Sequence, residues 1–373
     1  MADIPPSGIR RYFELAEEMD DVISLGVGEP DFSAPWPVRD AAMASLERGQ
    51  TSYTTNRGLR ELREAIATYL DGTYGLSYRG DDEILVTTGA SEAVDLALRA
   101  TVDAGTTVAV PEPTYLSYRP VATLAGATVV PVPTRKADGF RLTGAALADA
   151  GAEAADVLVI CYPNNPTGAI LEESDLREIA DFARKHDIGI ISDEIYAELT
   201  YNGEHVSIAS LPGMRERTIV VSGFSKAFAM TGLRLGYAVA PTPLIDAMNR
   251  IHQYTMLSSP TTAQYAALEG LRSCADDVEE MRRAYDRRRQ FVLSRFTDMD
   301  VDCFEAQGAF YVFPECPTDD AGQFAEDLLE AEQVAVVPGG VFGEAGKGHL
   351  RVTYATGMDQ LREAMDRIER FVA

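Results

Sequence analysis

The middle of the chain alternates short, apolar, β-branched runs with amphipathic stretches, and this alternation restricts the fold more than any other feature. Short runs of continuous hydrophobicity are typical of strands that are covered on both faces. We predict strands at 83–88, 107–111, 128–132, 157–161, 188–192, 218–222 and 235–239. Helical patterns lie between many of them, at 91–103, 114–125 and 172–186. This order predicts an α/β fold built on a seven-stranded, mostly parallel sheet.

The C-terminal part of the chain has a different pattern. A long, charged, amphipathic helix is predicted at 276–297. The elements that follow it are short strands at 308–314, 334–339 and 349–355 and helices at 320–332 and 358–371. They suit a smaller α+β unit, and the opening segment, which has no strand partner in the sheet units, is expected to pack against it. We therefore expect a large domain over 38–280 and a small domain formed by 1–37 and 281–373.

The composition excludes several classes of function. Fifty-eight acidic residues against 33 basic ones give a net charge of −25, which argues against nucleic-acid or anionic-membrane partners. No apolar run approaches the ~20 residues that span a bilayer, and the first residues lack a secretory pattern. We therefore expect a cytoplasmic protein. The four cysteines and four histidines are scattered without metal-like spacing, so no metal site is expected.

Ligands of open α/β sheets bind at the carboxyl ends of the strands, so the residues that follow each predicted strand are candidates. After 83–88, Gly89 allows a tight turn, and Ala90 and Ser91 open a helix whose free N–H groups can bind an anion. Ser91 has an alternative interpretation as an ordinary helix cap. Taken alone, this signal is weak.

Two further strands are followed by polar side chains. After 157–161, "YPNNPTG" is either an ordinary turn or a loop that aims the amide of Asn165 at a ligand. After 188–192, "DEIYAEL" offers Asp193 as a helix cap or as a buried acid, with Tyr196 on the same face.

The strongest candidate follows 218–222, in "GFSKAFAMTGLRLG". Lysine occurs only four times in the chain, and Lys226 lies in an apolar setting. Most lysines are solvated surface groups, but burial would lower the pKa of this one and favour the free amine. A primary amine can form an imine with an aldehyde, whereas a guanidinium cannot. Ser225 precedes it, and Arg234 could return to the same pocket to bind a phosphate.

Together these residues place a lysine, an acid, a phenol, an amide, an arginine and an anion-binding helix start at one edge of the sheet. Pyridoxal 5′-phosphate needs such a set, because its aldehyde needs a lysine and its ring nitrogen needs an acid partner. The sequence resembles the class I/II aminotransferases of fold type I, and among them it is close to archaeal and bacterial aspartate and aromatic aminotransferases. The motifs "LGVGEPDF", "YPNNPTG", "SDEIYAEL", "GFSKAFAMTGLRLG" and "HLRVTYAT" carry the resemblance over nearly the whole chain.

The resemblance implies a role for each candidate. Lys226 is similar to the lysine that binds the cofactor and moves the substrate's proton. Asp193 is similar to the partner of the ring nitrogen, and Asn165 and Tyr196 to the donors to the 3-oxygen. The remaining assignments are Ala90, Ser91, Ser225 and Arg234 around the phosphate, Tyr115 stacked on the ring, Tyr53 reaching the phosphate of a neighbouring subunit, and Gly28 and Arg351, with Asn165, at the substrate carboxylate.

The implied activity is transfer of the amino group of an L-amino acid, whether aspartate, aromatic or broad in range, to 2-oxoglutarate. The implied mechanism is ping-pong, in a homodimer with shared sites. Ser91 stands where some aspartate-specific relatives carry a lysine, which argues against a strict aspartate enzyme. Two alternatives stay open: a lyase or decarboxylase that uses the same cofactor, and a non-catalytic α/β binding protein.

The acidic surface generates the first testable prediction. Like charges either keep the protein in solution or adapt it to a salty cytoplasm, where ionic strength screens their repulsion. The second interpretation predicts a melting temperature that rises from low to high salt. Thermal melts in both conditions measure this, and equal stability in the two would count against halophilic adaptation.

Overall fold

A computed structural model of the 373-residue chain describes residues 4, 8–9, 19 and 21–373. Its strands are β1 (Ile23–Ser24), β2 (Ile84–Thr87), β3 (Thr107–Glu112), β4 (Thr128–Pro133), β5 (Val157–Cys161), β6 (Gly189–Asp193), β7 (Thr218–Gly223), β8 (Gly236–Val239), β9 (Tyr311–Val312), β10 (Val334–Ala335), β11 (Val337–Pro338) and β12 (Leu350–Thr353). Its α-helices are α1 (Trp36–Glu47), α2 (Arg60–Tyr74), α3 (Ala90–Thr101), α4 (Tyr118–Ala125), α5 (Gly144–Asp149), α6 (Glu173–His186), α7 (Thr242–Thr255), α8 (Thr261–Ser273), α9 (Ala275–Asp298), α10 (Ala321–Glu332) and α11 (Met358–Val372).

Seven strands form one sheet in the order β2-β8-β7-β6-β5-β3-β4. The strands β3 to β7 are parallel to one another, and β8 alone runs antiparallel to its neighbours, β2 and β7. The predicted seven-stranded, mostly parallel sheet is therefore confirmed. Because β5, β6 and β7 are parallel, the residues that follow them meet at one edge of the sheet.

Helices cover both faces of this sheet, which explains the continuous hydrophobicity of its strands. In β5 the side chains alternate between two buried cores. Leu158 and Ile160 pack into one core with residues of α6, and Val157 and Val159 pack into the other with residues of α3 and α7. A strand with both faces buried holds its register strongly, because a slip of one residue would exchange the two cores.

The remaining strands form two small sheets. β11-β12-β9 is antiparallel, and β1 pairs in parallel with β10, with Ile23 opposite Val334. The expected packing of the opening segment against the C-terminal elements thus occurs through β1; most residues before it lie outside the described part of the chain. A third core, which includes Leu25, Phe310 and Tyr354, fills the space between these sheets and α9 to α11.

Three predicted elements differ from the structure. The strand expected at 308–314 is only Tyr311–Val312. The single strand expected at 334–339 is two strands, because β10 pairs with β1 while β11 pairs with β12. The helix expected from 114 begins at Tyr118. Pro120 explains the late start, since its missing N–H is tolerated in the first turn of a helix but not further inside it.

Among the described residues, no helix combines the length and the apolar character that crossing a bilayer requires.

Candidate active site

A cavity of about 1100 Å³ opens at the carboxyl ends of the parallel strands. Eleven of the twelve predicted site residues line it: Gly28, Ala90, Ser91, Tyr115, Asn165, Asp193, Tyr196, Ser225, Lys226, Arg234 and Arg351. The twelfth, Tyr53, does not line this cavity, and its residue is 80% exposed. Residues separated by more than three hundred positions in the chain therefore meet in one place.

One end of the cavity is the start of helix α3. Gly89 precedes the helix with a φ of +81°, a conformation that favours glycine. The backbone at the start of α3 packs closely against β8 and Arg234. A Cβ on Gly236 would lie 2.4 Å from the Ala90 nitrogen, and a Cβ on Gly89 would lie 2.7 Å from Arg234 Nη2. The helix start, with Ser91, Ser225 and Arg234 around it, therefore forms a cationic cradle for an anion.

Lys226 lines the same cavity. Its Nζ donates to the Gly28 carbonyl oxygen at 2.6 Å and lies over the rings of Tyr196 and Phe310, at 5.7 and 5.4 Å from their centroids. Burial of the charged amine, reinforced by the nearby Arg351, lowers the pKa of Lys226 to about 8. At neutral pH the uncharged, nucleophilic amine is therefore far more abundant here than on an ordinary lysine.

Asp193 is the last residue of β6, and it is buried. Its Oδ2 accepts from the Tyr118 hydroxyl at 2.7 Å, and its Oδ1 accepts from the Ile195 N–H at 3.1 Å. Burial raises the pKa of Asp193 to about 6, while the hydrogen bond from Tyr118 opposes that rise. No α-helix begins here, so the helix-cap interpretation of Asp193 is wrong; a turn and a 3₁₀ segment, Ala197–Leu199, follow.

The two neighbouring asparagines of "YPNNPTG" have separate partners. Asn164 holds the turn, because its Oδ1 accepts from the Thr167 N–H and hydroxyl. The Oδ1 of Asn165 instead accepts from Arg351 Nη1 at 3.0 Å, inside the cavity. The motif therefore contains both the ordinary turn and an amide that lines the cavity.

Arg351 is 2% exposed and has a restricted orientation. Its guanidinium carbon lies 4.7 Å from the ring centroid of Tyr311 and 4.8 Å from that of Phe342, and its Nη2 donates to the Gly26 carbonyl at 2.5 Å. Its Nε is buried without a hydrogen-bond partner among the described residues. Buried donors are seldom left unpaired, so this edge of the guanidinium is available to a carboxylate.

Sequence reasoning missed two residues of the site, Tyr118 and Tyr311. Tyr118 holds the Asp193 carboxylate, and the Tyr311 hydroxyl lies 2.9 Å from that of Tyr196. Tyr118 follows Tyr115 by three residues, and the helix predicted at 114–125 put both in one element. In the structure the helix begins only at Tyr118. Tyr311 belongs to the small antiparallel sheet, which the pattern did not connect with the cavity.

The residues present fit pyridoxal phosphate. The lysine amine, the buried carboxylate and the cationic helix start are the groups that its aldehyde, ring nitrogen and phosphate need, and the unpaired Nε of Arg351 is available to a substrate carboxylate. Among the described residues, no group of three or more His, Cys, Asp or Glu side chains is placed to hold a metal ion. The fold and the site define a pyridoxal-phosphate enzyme.

Comparison with known proteins gives the same class and narrows it. Residues 20–368 match the family model described as aminotransferase class I and II, so the chain belongs to that family. The Bacillus subtilis protein YugH, whose name gives the class but no substrate, is 52% identical over 371 residues, which are 99% of this chain and 96% of that protein. An aspartate aminotransferase of Pyrococcus abyssi is 45% identical, over 98% of this chain and 96% of its own.

Solved structures agree. A crystal structure of an aromatic aminotransferase from Pyrococcus horikoshii superimposes with a TM-score of 0.92 at 44% identity, and the match covers 96% of this chain and 98% of that one. The predicted fold type I architecture and dependence on pyridoxal phosphate are thus confirmed, and the protein is a transaminase.

The second prediction concerns Asp193. In the role that the family resemblance implies, Asp193 pairs with the protonated ring nitrogen only as a carboxylate, so its contribution to the affinity for pyridoxal phosphate should be full above about pH 6 and fall as the pH drops through that value. Tyr118→Phe removes a donor that favours the carboxylate, and the fall should begin up to about one pH unit higher. Equilibrium dialysis of the apoenzyme with pyridoxal phosphate at a series of pH values measures this.

Tyr162→Phe is the matched control for Tyr118→Phe. Tyr162 is also buried, but its hydroxyl donates to the Phe140 carbonyl at 3.0 Å and not to Asp193. This variant should keep the wild-type pH profile. A wild-type profile in Tyr118→Phe as well would show that the hydroxyl does not govern the charge of Asp193.

Proposed function

We propose that the chain transfers the amino group of an L-amino acid to a 2-oxo acid, with 2-oxoglutarate as an acceptor, in two separate half-reactions. One observation carries the proposal: the cavity brings together a lysine amine with a pKa lowered to about 8, a buried carboxylate and a guanidinium edge without a partner. Relatives named for aspartate and for aromatic amino acids support a donor of either kind, or a broad range.

The position of Ser91 makes a broad-range or aromatic donor the better proposal. Ser91 lines the cavity where some aspartate-specific relatives carry a lysine. Among the described lining residues, the cations are Lys226, Arg234 and Arg351, each with another proposed role. Apolar side chains such as Val27 and Leu116 also line the cavity and suit an apolar substrate. An amino-donor panel with 2-oxoglutarate tests the choice.

Each residue has a distinct task in this proposal. Arg351 grips the α-carboxylate through a pair of hydrogen bonds, and Asn165 orients the guanidinium. When bound, pyridoxal phosphate accepts the electrons of the substrate's Cα–H bond and carries the amino group between the half-reactions. The Lys226 amine would take the Cα proton as a general base and give it up again at the cofactor's aldehyde-derived carbon, C4′. Asp193 balances the positive ring nitrogen, and Tyr196 donates to the 3-oxygen.

Residues 26–31 form a lid that excludes water from these steps. Four side chains from elsewhere in the chain hold the lid against the cavity. They are Arg351 on the Gly26 carbonyl, Lys226 on the Gly28 carbonyl, Thr231 on Glu29, and Arg288, which binds both oxygens of Asp31 at 2.7 and 2.9 Å. Two of these contacts come from Lys226 and Arg351, so a bound substrate would compete for them and couple its entry to lid movement.

The same proposal includes the domain division 38–280 against 1–37 and 281–373, in which helix α9 crosses the boundary. Limited proteolysis tests it, and cleavage concentrated inside either unit would contradict it.

We also propose a cytoplasmic location and an acidic surface adapted to salt. Cell fractionation tests the location, and the melts described above test the salt adaptation.

The third prediction tests the chemistry itself. Lys226→Ala should abolish turnover and the absorption of lysine-bound cofactor, while Lys185→Ala, at an exposed lysine of α6, should retain both. Glutamate alone should release a single equivalent of 2-oxoglutarate per wild-type site and then stop until a 2-oxo acid is added. Continued release of carbon dioxide would instead favour a decarboxylase, and turnover in Lys226→Ala would refute the assignment.

We also propose a homodimer with shared sites, and the exposed surface around Tyr53 supports it. Tyr53 and Tyr254 are 80% and 87% exposed, and Met256 and Leu257 are also exposed. The two segments touch, since Asn56 Nδ2 donates to the Leu257 carbonyl at 2.7 Å. The patch adjoins the loop whose tyrosine the family resemblance aims at a neighbouring phosphate, so we propose that a second copy of the chain covers it.

The fourth prediction tests the shared site by complementation. Tyr53→Ala should weaken cofactor binding and Lys226→Ala should be inactive. A dimer with one subunit of each variant holds one site with both native residues and one site with neither. If the subunits pair at random, about half of the dimers are of this kind, so co-expression in equal amounts should restore about a quarter of wild-type activity at limiting cofactor. A mixture no more active than the sum of the separate variants would mean that Tyr53 serves its own subunit or none.

A further inference from the structure

Tyr311 is a buried tyrosine that no part of the proposed mechanism uses. It lies on β9, paired with Thr353 of β12, and is 1% exposed. Its side chain nevertheless leaves the small sheet and reaches the cavity at the edge of the large one. A phenol placed there must satisfy its hydroxyl inside the site, because the residue is almost fully buried.

Three residues with proposed roles meet at this one side chain. The Tyr311 hydroxyl lies 2.9 Å from the hydroxyl of Tyr196. Its ring lies 4.7 Å from the guanidinium carbon of Arg351. A Cβ on Gly28 would lie 2.2 Å from the same hydroxyl oxygen, so the lid can close over Tyr311 only with glycine at that position.

We propose that Tyr311 is a positioning residue that donates its hydroxyl proton to Tyr196, which leaves the proton of Tyr196 for the 3-oxygen of the cofactor. The inference rests on the role of Tyr196 proposed above. Hydrogen-bond satisfaction supports this direction. Tyr196 is the hydrogen-bond partner that the described structure gives to the Tyr311 hydroxyl. If Tyr311 accepted instead, its own buried proton would have no acceptor.

The direction of donation has an electrostatic consequence. A phenol that accepts a hydrogen bond becomes a better donor through its own proton, since chained hydrogen bonds polarise one another. Tyr311 therefore strengthens the bond from Tyr196 to negative charge on the 3-oxygen. The ring of Tyr311 has a second, separable task, which is to fix the plane of Arg351 together with Phe342, whose ring centroid lies 4.8 Å from the guanidinium carbon.

Tyr311→Phe separates the two tasks, because it removes the hydroxyl and keeps the ring. The readout is the pH midpoint of the absorption change of the protein-bound cofactor, which reports how well charge on the 3-oxygen is stabilised. The midpoint should rise by about 0.5 to 1 pH unit, the shift that one hydrogen bond supplies. The KM for the amino acid should stay within about twofold, since the ring beside Arg351 remains.

Two further variants make the test specific. Tyr354→Phe is the matched control, since Tyr354 is fully buried in the same small unit and its hydroxyl donates to the Ala309 carbonyl at 3.1 Å. It should leave the midpoint unchanged. Tyr311→Leu removes the ring as well, and should raise the KM in addition to the midpoint because the Arg351 plane is no longer held.

A double variant tests whether Tyr311 acts through Tyr196. Tyr196→Phe alone should raise the midpoint, and Tyr311→Phe added to it should raise it no further. Additive shifts, a wild-type midpoint in Tyr311→Phe, or an equal shift in Tyr354→Phe would each overturn the proposal. A wild-type midpoint in Tyr196→Phe would instead refute the role of Tyr196, so the two failures can be told apart.

Discussion

The site depends on one electrostatic constraint, which is a half-buried primary amine held near cations in the cavity. Burial alone disfavours the ammonium form of Lys226, and Arg351 and Arg234 add to the effect. In the proposed roles both arginines bind anions, one on the substrate and the other on the cofactor. The groups proposed to bind the two anions therefore also lower the pKa of the nucleophile, and binding and reactivity have the same physical origin. A bound carboxylate would offset the charge of Arg351 and return some basicity to the amine, as a proton acceptor needs.

Backbone geometry imposes the second constraint. The start of α3 can lie against β8 because Gly236 has no Cβ, and Gly89 has none to meet Arg234. A similar close approach occurs at the small sheet, where the missing Cβ of Gly28 lets the lid rest against the Tyr311 hydroxyl. Glycine thus marks the points at which separate layers approach, and the large side chains of the site fill the space between them.

The sequence predicts the large sheet and the residues at its edge for a clear reason. The strands are buried on both faces, so their hydrophobicity is continuous, and parallel strands bring the residues after them to one edge. The split at 334–339 could not be predicted, because β10 and β11 pair with partners that lie far away in the chain. Tyr53 was predicted from the family resemblance and not from the strand pattern, because its proposed partner is the site of a second subunit. In the single chain its side chain is exposed.

Tyr118 and Tyr311 escaped prediction for a common physical reason. Most of the residues proposed to bind the cofactor follow strand ends, and short motifs mark those positions. Tyr118 and Tyr311 also line the cavity, but their hydroxyls contact Asp193 and Tyr196, and each comes from an element whose position depends on tertiary packing. A hydroxyl in such a place changes the charge or the proton of another residue without touching the cofactor. Relatives that conserve every motif residue can therefore differ in the pH dependence of their cofactor chemistry, because that property is set partly by the layer behind the motifs.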